Sequence, residues 1–122
     1  IREWIYVEDH IDALLEITKK GNVGSSYCIG ANQEKTNEEV VELICKLLDK
    51  YHPIEGPHIK NKKYVQDRLG HDRRYALNTQ KIKDHTGWEP KYSFEEGLEF
   101  TIKWYLKNID WCKKIIERDN TI

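Results

Sequence analysis

The sequence predicts a small, mixed α/β domain in which helices predominate. Long amphipathic segments with clear helix ends alternate with short runs of apolar residues, and no internal repeat or low-complexity tract interrupts this pattern. The length of 122 residues suits one domain with a modest core. We therefore interpret residues 1–122 as a single domain.

The first helix is predicted from about Val7 to Lys20. Acidic residues in its first turn and lysines in its last turn complement the helix dipole, and Gly21 follows as a stop signal. Its apolar positions share helical spacing; they are Ile11, Leu14 and Leu15, with Thr18 beside them. Short strand-like segments precede and follow this helix, at residues 4–6 and at residues 27–29, the second ending at Gly30.

A second helix begins at Thr36, which forms a capping box with Glu39. Its predicted buried stripe consists of Val40, Ile44, Leu47 and Leu48. Cys45 lies on the same apolar face, and we expect it to be a small buried hydrophobic residue. Pro53 follows the end of this helix.

Three further helices and one strand complete the prediction. A loop leads to a strand at residues 63–66, and a short helix at residues 79–86 stops at Gly87. Ser93 and Glu96 form a second capping box that opens the longest helix, through about Lys107. Its apolar face holds Phe94, Leu98, Ile102 and Tyr105. Asp110 is the predicted cap of a last helix at residues 111–117.

Composition excludes several function classes. Net charge is −1, with 34% charged and 39% hydrophobic residues, so the chain has no general basic excess suited to nucleic acid. No apolar stretch approaches the ~20 residues that a membrane helix needs. The three cysteines are widely spaced and form no C-x-x-C pair, which argues against a metal site. We expect a reduced, cytoplasmic protein, and the absence of methionine suggests a piece of a longer one.

Positive charge is instead concentrated between residues 60 and 74. This segment holds six basic residues against Asp67 and Asp72; the basic ones are Lys60, Lys62, Lys63, Arg68, Arg73 and Arg74. Arginine offers a planar fork of donors that matches phosphate oxygens, and Gly70 allows a sharp turn or a close ligand approach. The segment is equipped to bind a small anion such as a diphosphate. The alternative is a solvated loop whose arginines pair with its own aspartates.

Four motifs in order carry a resemblance to a known family. They are R-E-W-I-Y-V-E-D-H at residues 2–10, Y-C-I-G at 27–30, D-R-L-G-H-D-R-R-Y at 67–75 and G-W-E-P at 87–90. The short segment E-K-T-N at residues 34–37 lies between the second and third and belongs to the same pattern. From Ile1 to about Asn108 the chain resembles the C-terminal part of the dTDP-glucose 4,6-dehydratases, members of the extended short-chain dehydrogenase/reductase family. The first and last motifs are shared by many nucleotide-sugar enzymes, whereas the arginine-rich motif is much narrower.

The resemblance implies a set of substrate-binding residues. They are Arg2, Asn37, Asp67, Arg68, Leu69, Gly70 and His71. Arg2 and Arg68 would bind the nucleotide diphosphate, and Asn37 would contact substrate at a helix start, where free backbone N–H groups attract anions. The family usually has proline where Leu69 stands, and leucine does not restrict φ, so we expect a looser loop without ligand. Cys28 replaces the usual asparagine.

The family's catalytic and cofactor motifs are not found in this chain. There is no G-x-x-G-x-x-G turn after a strand and no Y-x-x-x-K pair, so we expect no catalytic residue, no cofactor-binding residue and no bound NAD. The resemblance places both motifs in an N-terminal Rossmann domain of the parent enzyme, a lyase. That enzyme uses NAD to oxidise the sugar C4 hydroxyl, eliminates water across C5 and C6, and returns hydride to C6.

Two other interpretations stay open on the sequence. The chain could be the corresponding lobe of a related enzyme, such as a UDP-glucuronate decarboxylase, an epimerase or a GDP-mannose dehydratase. It could also be a binding module for a nucleotide or polyphosphate without catalysis. In either enzyme interpretation its partner would be the N-terminal lobe. Without that lobe, we expect exposed apolar surface and an unpaired strand edge near Arg2 to favour self-association.

We predict that the 122-residue chain alone has no dehydratase activity and retains no NAD. The expected result is a blank-level yield of 4-keto-6-deoxy sugar when the purified chain is incubated with dTDP-glucose and NAD. Product above the blank would show that a catalytic site lies within these residues.

Overall fold

A computed structural model describes residues 1–119, and its order of elements is helix-rich and mixed α/β, as predicted. In sequence order the elements are β1 (Arg2–Glu3), α1 (Val7–Lys20), β2 (Glu34–Lys35), α2 (Asn37–Tyr51), a 3-10 helix (His58–Asn61), α3 (Gln80–Thr86), α4 (Phe94–Lys107) and α5 (Ile109–Asp119). Strands β1 and β2 pair antiparallel, with Arg2 opposite Lys35 and Glu3 opposite Glu34.

The core forms where α1 packs against α3. Ala13 of α1 is fully buried against Ile82 of α3 and Trp88, which follows α3. Around this centre pack Ile5, Ile17, Tyr27 and Ile29. Gly87 ends α3 in the left-handed conformation, with φ of 73°, where a residue without a Cβ is favoured.

The wider apolar stripe of α1 faces solvent. Val7, Ile11, Leu14 and Leu15 are all exposed, Ile11 at 51%. The buried face of the helix instead holds Asp9 and Ala13, four residues apart, with Ile17 partly buried after them. Helix α1 is therefore apolar on two faces, and only the narrower one belongs to the core of the described residues.

Both predicted capping boxes are present and set the starts of α2 and α4. The Thr36 hydroxyl accepts from the Glu39 N–H at 3.1 Å, and the Glu39 carboxylate accepts from the Thr36 N–H at 2.7 Å. Ser93 and Glu96 repeat this arrangement. Helices α2 and α4 pack against each other. The buried residues of α2 are Val40, Cys45 and Leu47, so the buried position of Cys45 is confirmed, while Ile44 and Leu48 are half-buried.

Three strand predictions and one cap prediction are wrong. Residues 27–29 and 63–66 form no strand, and the first strand lies upstream of residues 4–6, although Tyr6 keeps an extended backbone. The backbone of residues 63–66 pairs with no strand. A side chain holds this segment instead, since the Tyr64 hydroxyl donates to Glu38 at 2.6 Å. Asp110 lies in the first turn of α5 and does not precede it.

Asp9 connects α1 to the segment before α4. It is 1% exposed, and its two carboxylate oxygens accept the backbone N–H groups of Lys91 at 3.0 Å and Tyr92 at 3.1 Å. Asp12, one turn further along the same helix, makes only a half-exposed ion pair with the Lys91 ammonium group.

We predict that Asp9→Ala lowers the free energy of unfolding by about 2–4 kcal/mol, because it leaves two backbone donors without their charged acceptor. The matched control, Asp12→Ala, should cost less than about 1 kcal/mol, since it removes only a surface ion pair. Urea unfolding followed by circular dichroism measures both values. Equal losses for the two variants would contradict the assigned role of Asp9.

Candidate functional site

The N-terminal segment is the scaffold of the candidate site. The Ile1 carbonyl accepts the backbone N–H of Tyr75 at 3.1 Å, and the next two residues pair with β2. The segment therefore lies between the arginine-rich loop and the strand that leads into α2. Because of this position, Arg2 reaches residues that are about seventy positions away in the sequence.

Glu3 attaches two loops to this scaffold. Its carboxylate accepts the backbone N–H of Asn32 at 2.9 Å and that of Leu77 at 2.7 Å. Gly30 lies against the same carboxylate, and a Cβ at this position would be 2.0 Å from the Glu3 Oε1 atom. The glycine of the Y-C-I-G motif is therefore explained by close approach to Glu3. Sequence reasoning missed Glu3, because a glutamate in a short strand gives no signal of such a role.

Three of the predicted site residues form one chain of hydrogen bonds. The guanidinium of Arg2 contacts His71 Nε2, and His71 Nδ1 lies 2.5 Å from an Asp67 carboxylate oxygen. The hydrogen bond from His71 holds the pKa of Asp67 below its usual value. An arginine can only donate, so Nε2 accepts and the proton of the neutral ring is placed on Nδ1, facing Asp67. His71 is the half-buried member of an otherwise exposed loop.

The remaining residues of the predicted block form the open tip of the loop. Leu69 is 100% exposed, and Gly70 turns the chain with φ of 69° in open space, since a Cβ added to it would meet no atom within 4 Å. The Arg68 backbone N–H donates to Asp67 at 2.9 Å, while its guanidinium makes no hydrogen bond or ion pair within residues 1–119. The tip thus presents one arginine that is available to a ligand.

Arg74 behaves differently from Arg68. Its guanidinium donates twice to the Glu34 carboxylate, at 2.5 Å through Nε and 2.6 Å through a terminal nitrogen. This bidentate pair raises the pKa of Arg74 and lowers that of Glu34. Arg74 therefore anchors the loop to β2 through Glu34.

Asn37 begins α2 and lies two residues after Lys35, the partner of Arg2 in the strand pair. Its side chain is exposed and makes no hydrogen bond within residues 1–119. The next residue, Glu38, receives hydrogen bonds from Tyr64 and Lys62, which hold its pKa below the usual value. The start of α2 is thus joined to the segment that leads into the arginine-rich loop.

A groove elsewhere in the molecule has a different chemistry. A groove of about 570 Å³ runs between residues 4–8 and α4, and aromatic side chains dominate its lining, with Trp4, Phe94, Trp104 and Tyr105 among them. Of the described residues that line it, Glu8 alone is charged. An apolar, weakly acidic groove does not suit a diphosphate.

Within residues 1–119 no group of three or more His, Cys, Asp or Glu side chains is arranged to hold a metal ion. None of the helices in this part of the chain is long and apolar enough to cross a membrane. The thiols of Cys28, Cys45 and Cys112 are free.

Arg2 contacts His71 of the loop that also carries Arg68, and arginine donors of this kind match phosphate oxygens. The family model described as GDP-mannose 4,6 dehydratase matches residues 1–101, and the chain belongs to this family. Curated relatives carry a more particular name. A dTDP-glucose 4,6-dehydratase of Xanthomonas campestris pv. campestris (strain B100) is 45% identical over 119 residues, which cover 96% of this chain and 34% of the relative.

A dTDP-glucose 4,6-dehydratase of Haemophilus influenzae is 49% identical over 112 residues, or 88% of this chain and 33% of the relative. The chain thus spans about a third of the length of the curated relatives it matches. These relatives confirm the resemblance predicted from the four motifs.

Solved structures agree with this assignment. The dTDP-glucose 4,6-dehydratase of Bacillus anthracis, solved with NAD, shares 50% identity at a TM-score of 0.75 over 89% of this chain and 32% of that one. The dTDP-glucose 4,6-dehydratase DesIV of Streptomyces venezuelae, solved with NAD and a further ligand, shares 34% identity at a TM-score of 0.78, with the same coverage of both chains. The predicted fold class, the small lobe of an extended short-chain dehydrogenase/reductase, is confirmed.

We predict that the neutral His71 ring carries its proton on Nδ1. His85 provides an internal contrast, because its Nδ1 lies 3.3 Å from the Asn22 amide nitrogen, a donor, and 2.9 Å from the Tyr27 hydroxyl, so its proton belongs on Nε2. Nitrogen-15 NMR of the imidazole rings distinguishes the two tautomers. A proton on Nε2 of neutral His71 would show that Arg2 does not donate to it.

Proposed function

We propose that this chain is the nucleotide-sugar-binding part of a dTDP-glucose 4,6-dehydratase, which converts dTDP-glucose to its 4-keto-6-deoxy product. The observation that carries the proposal is the pair of arginines, Arg2 and Arg68. Arg2 contacts the loop that carries Arg68, and neither guanidinium forms an ion pair with a carboxylate within residues 1–119. Two such cations beside a turn glycine suit the two phosphates of a nucleotide diphosphate.

The remaining predicted residues complete the binding site in this proposal. His71 and Asp67 hold Arg2, Gly70 lets the sugar nucleotide approach the backbone, and Leu69 would cover the ligand from the tip of the loop. Asn37 would contact the substrate from the start of α2, where free N–H groups and the helix dipole favour an anion. Of these residues, Arg68 depends least on rearrangement, because its guanidinium is already unpaired.

The parent protein in this proposal is a lyase that uses NAD, and the catalytic residues and NAD site lie outside this chain. Dinucleotides bind at the carboxyl ends of parallel strands beside a glycine-rich turn. Within residues 1–119 the only strands are the two-residue pair β1 and β2, which are antiparallel. This difference in strand arrangement supports placing the NAD site of the parent protein outside residues 1–119.

The exposed stripe of α1 is the surface that we propose the N-terminal lobe covers. Four large apolar side chains lie along one face of a helix whose other face is already packed. The groove beside Trp104 continues this apolar surface through Val7, which belongs to both. We further propose that the protein is cytoplasmic, binds no nucleic acid, and self-associates through this surface when the lobe is absent.

We predict that Arg68→Ala weakens dTDP-glucose binding by about tenfold to a hundredfold in the full-length protein, because a charge-assisted contact to phosphate is lost. Arg68→Lys should recover only part of the affinity, since a point charge does not reproduce the planar fork. The amount of bound NAD should stay unchanged. Calorimetric titration with dTDP-glucose measures the affinities.

Arg74→Ala is the matched control for this experiment. Its guanidinium is already occupied by Glu34, so we expect a smaller effect on affinity and a larger one on the stability of the loop. Unchanged dTDP-glucose affinity in Arg68→Ala would contradict the diphosphate role and favour a surface network of charges.

A further inference from the structure

Arg2 is held on three sides by groups that carry no negative charge. One terminal nitrogen donates to the Ile1 carbonyl at 2.7 Å, and the other contacts His71 Nε2. The guanidinium carbon lies 4.8 Å from the centre of the Tyr75 ring, over its face. Two of the five N–H donors of an arginine are thereby used, and three remain. The side chain is restrained, yet its charge is left for another partner.

Arg74 is restrained in the opposite way. A carboxylate holds it, so its charge is neutralised and its donors face Glu34. Restraint by a carbonyl, an imidazole and an aromatic face avoids this neutralisation. An arginine held by such uncharged groups keeps its charge for an anion. It also loses little further side-chain freedom when the anion binds.

Tyr75 is itself restrained. Its hydroxyl donates to Asp72, and its backbone N–H donates to the Ile1 carbonyl that also accepts from Arg2. The hydrogen bond and charge of Asp72 raise the pKa of the Tyr75 hydroxyl, while the positive charges of Arg2 and Arg68 act in the opposite direction. Both arginines assigned to the diphosphate therefore act on the same tyrosine.

We propose that Tyr75 is a positioning residue for the diphosphate. The face of its ring keeps the Arg2 guanidinium in a fixed plane. The inference rests on the proposed function, since it names how that same site is organised. The ring attracts the cation through its quadrupole without supplying a competing charge. Tyr75 lies outside the set of site residues predicted from the sequence.

The first measurement tests the restraint without any ligand. In the 122-residue chain, nitrogen-15 NMR reports how fast the Arg2 guanidinium rotates about its Nε–Cζ bond, with Arg2→Lys identifying the signal. We expect slow rotation in the wild type and in Tyr75→Phe, which keeps the ring. Tyr75→Leu should give fast rotation. Rotation as slow in Tyr75→Leu as in the wild type would overturn the inference.

The second measurement tests whether the restraint serves binding. Titration with thymidine diphosphate at low ionic strength should show about twofold to fivefold weaker binding for Tyr75→Leu, and wild-type binding for Tyr75→Phe. In an Arg2→Ala background the Tyr75→Leu change should have no further effect, because Tyr75 acts through Arg2. A loss that persists in that background would overturn the inference and assign Tyr75 a structural role.

Tyr64→Leu is the control, since Tyr64 is another exposed tyrosine of this segment whose hydroxyl contacts Glu38 and not the arginines. It should leave the rotation of the Arg2 guanidinium unchanged. Failure of the wild-type chain to bind thymidine diphosphate would contradict the proposed function of the site. The rotation rates would in that case still decide whether Tyr75 holds Arg2.

Discussion

The organisation of the site depends on the two hydrogen bonds that the Glu3 carboxylate accepts. Neighbouring residues of an extended segment point to opposite sides, so Glu3 and Arg2 face different parts of the molecule. The Glu3 carboxylate accepts hydrogen bonds from the backbone N–H groups of Asn32 and Leu77. These bonds join the segment before β2 and the segment before α3 to β1. With those segments held on one side, Arg2 is left to face the arginine-rich loop on the other. The absence of a Cβ at Gly30 makes this approach sterically possible.

The basic residues that anchor the loop are paired with carboxylates, whereas the two arginines proposed to bind the ligand are not. Arg74 pairs with Glu34, and Lys62 pairs with Glu38 and Glu42, all at the base of the loop. Arg2 and Arg68 have no such carboxylate partner within residues 1–119. Exposed ion pairs contribute little individually, so the pairs at the base act chiefly by restricting the loop, while the unpaired cations create the local positive field.

Local signals in the sequence predicted the helices well. The bounds of α1 and the capping boxes at Thr36 and Ser93 depend on residues a few positions apart, and all are confirmed. The strand predictions failed because pairing depends on distant partners, and the real strands consist of charged residues with little strand propensity. The apolar stripe at Ile11 and Leu15 was recognised, but periodicity alone does not say which of two apolar faces joins the core.

Some residues of the candidate site were predicted from the sequence, and others were missed. Arg2, His71 and Asp67 were predicted from motifs, and the structure brings them into one hydrogen-bonded chain. Glu3 and Tyr75 were missed, because their importance comes from contacts with residues about seventy positions away.

The exposed tip at Leu69 and Gly70 has an evolutionary consequence. Its surroundings are open, and the contacts that hold the loop lie at Arg74 and His71, away from the tip. Substitutions at Leu69 therefore disturb little of the packing on which folding depends. Selection can therefore vary this exposed part of the loop, and with it the surface that the loop presents, at small risk to the fold.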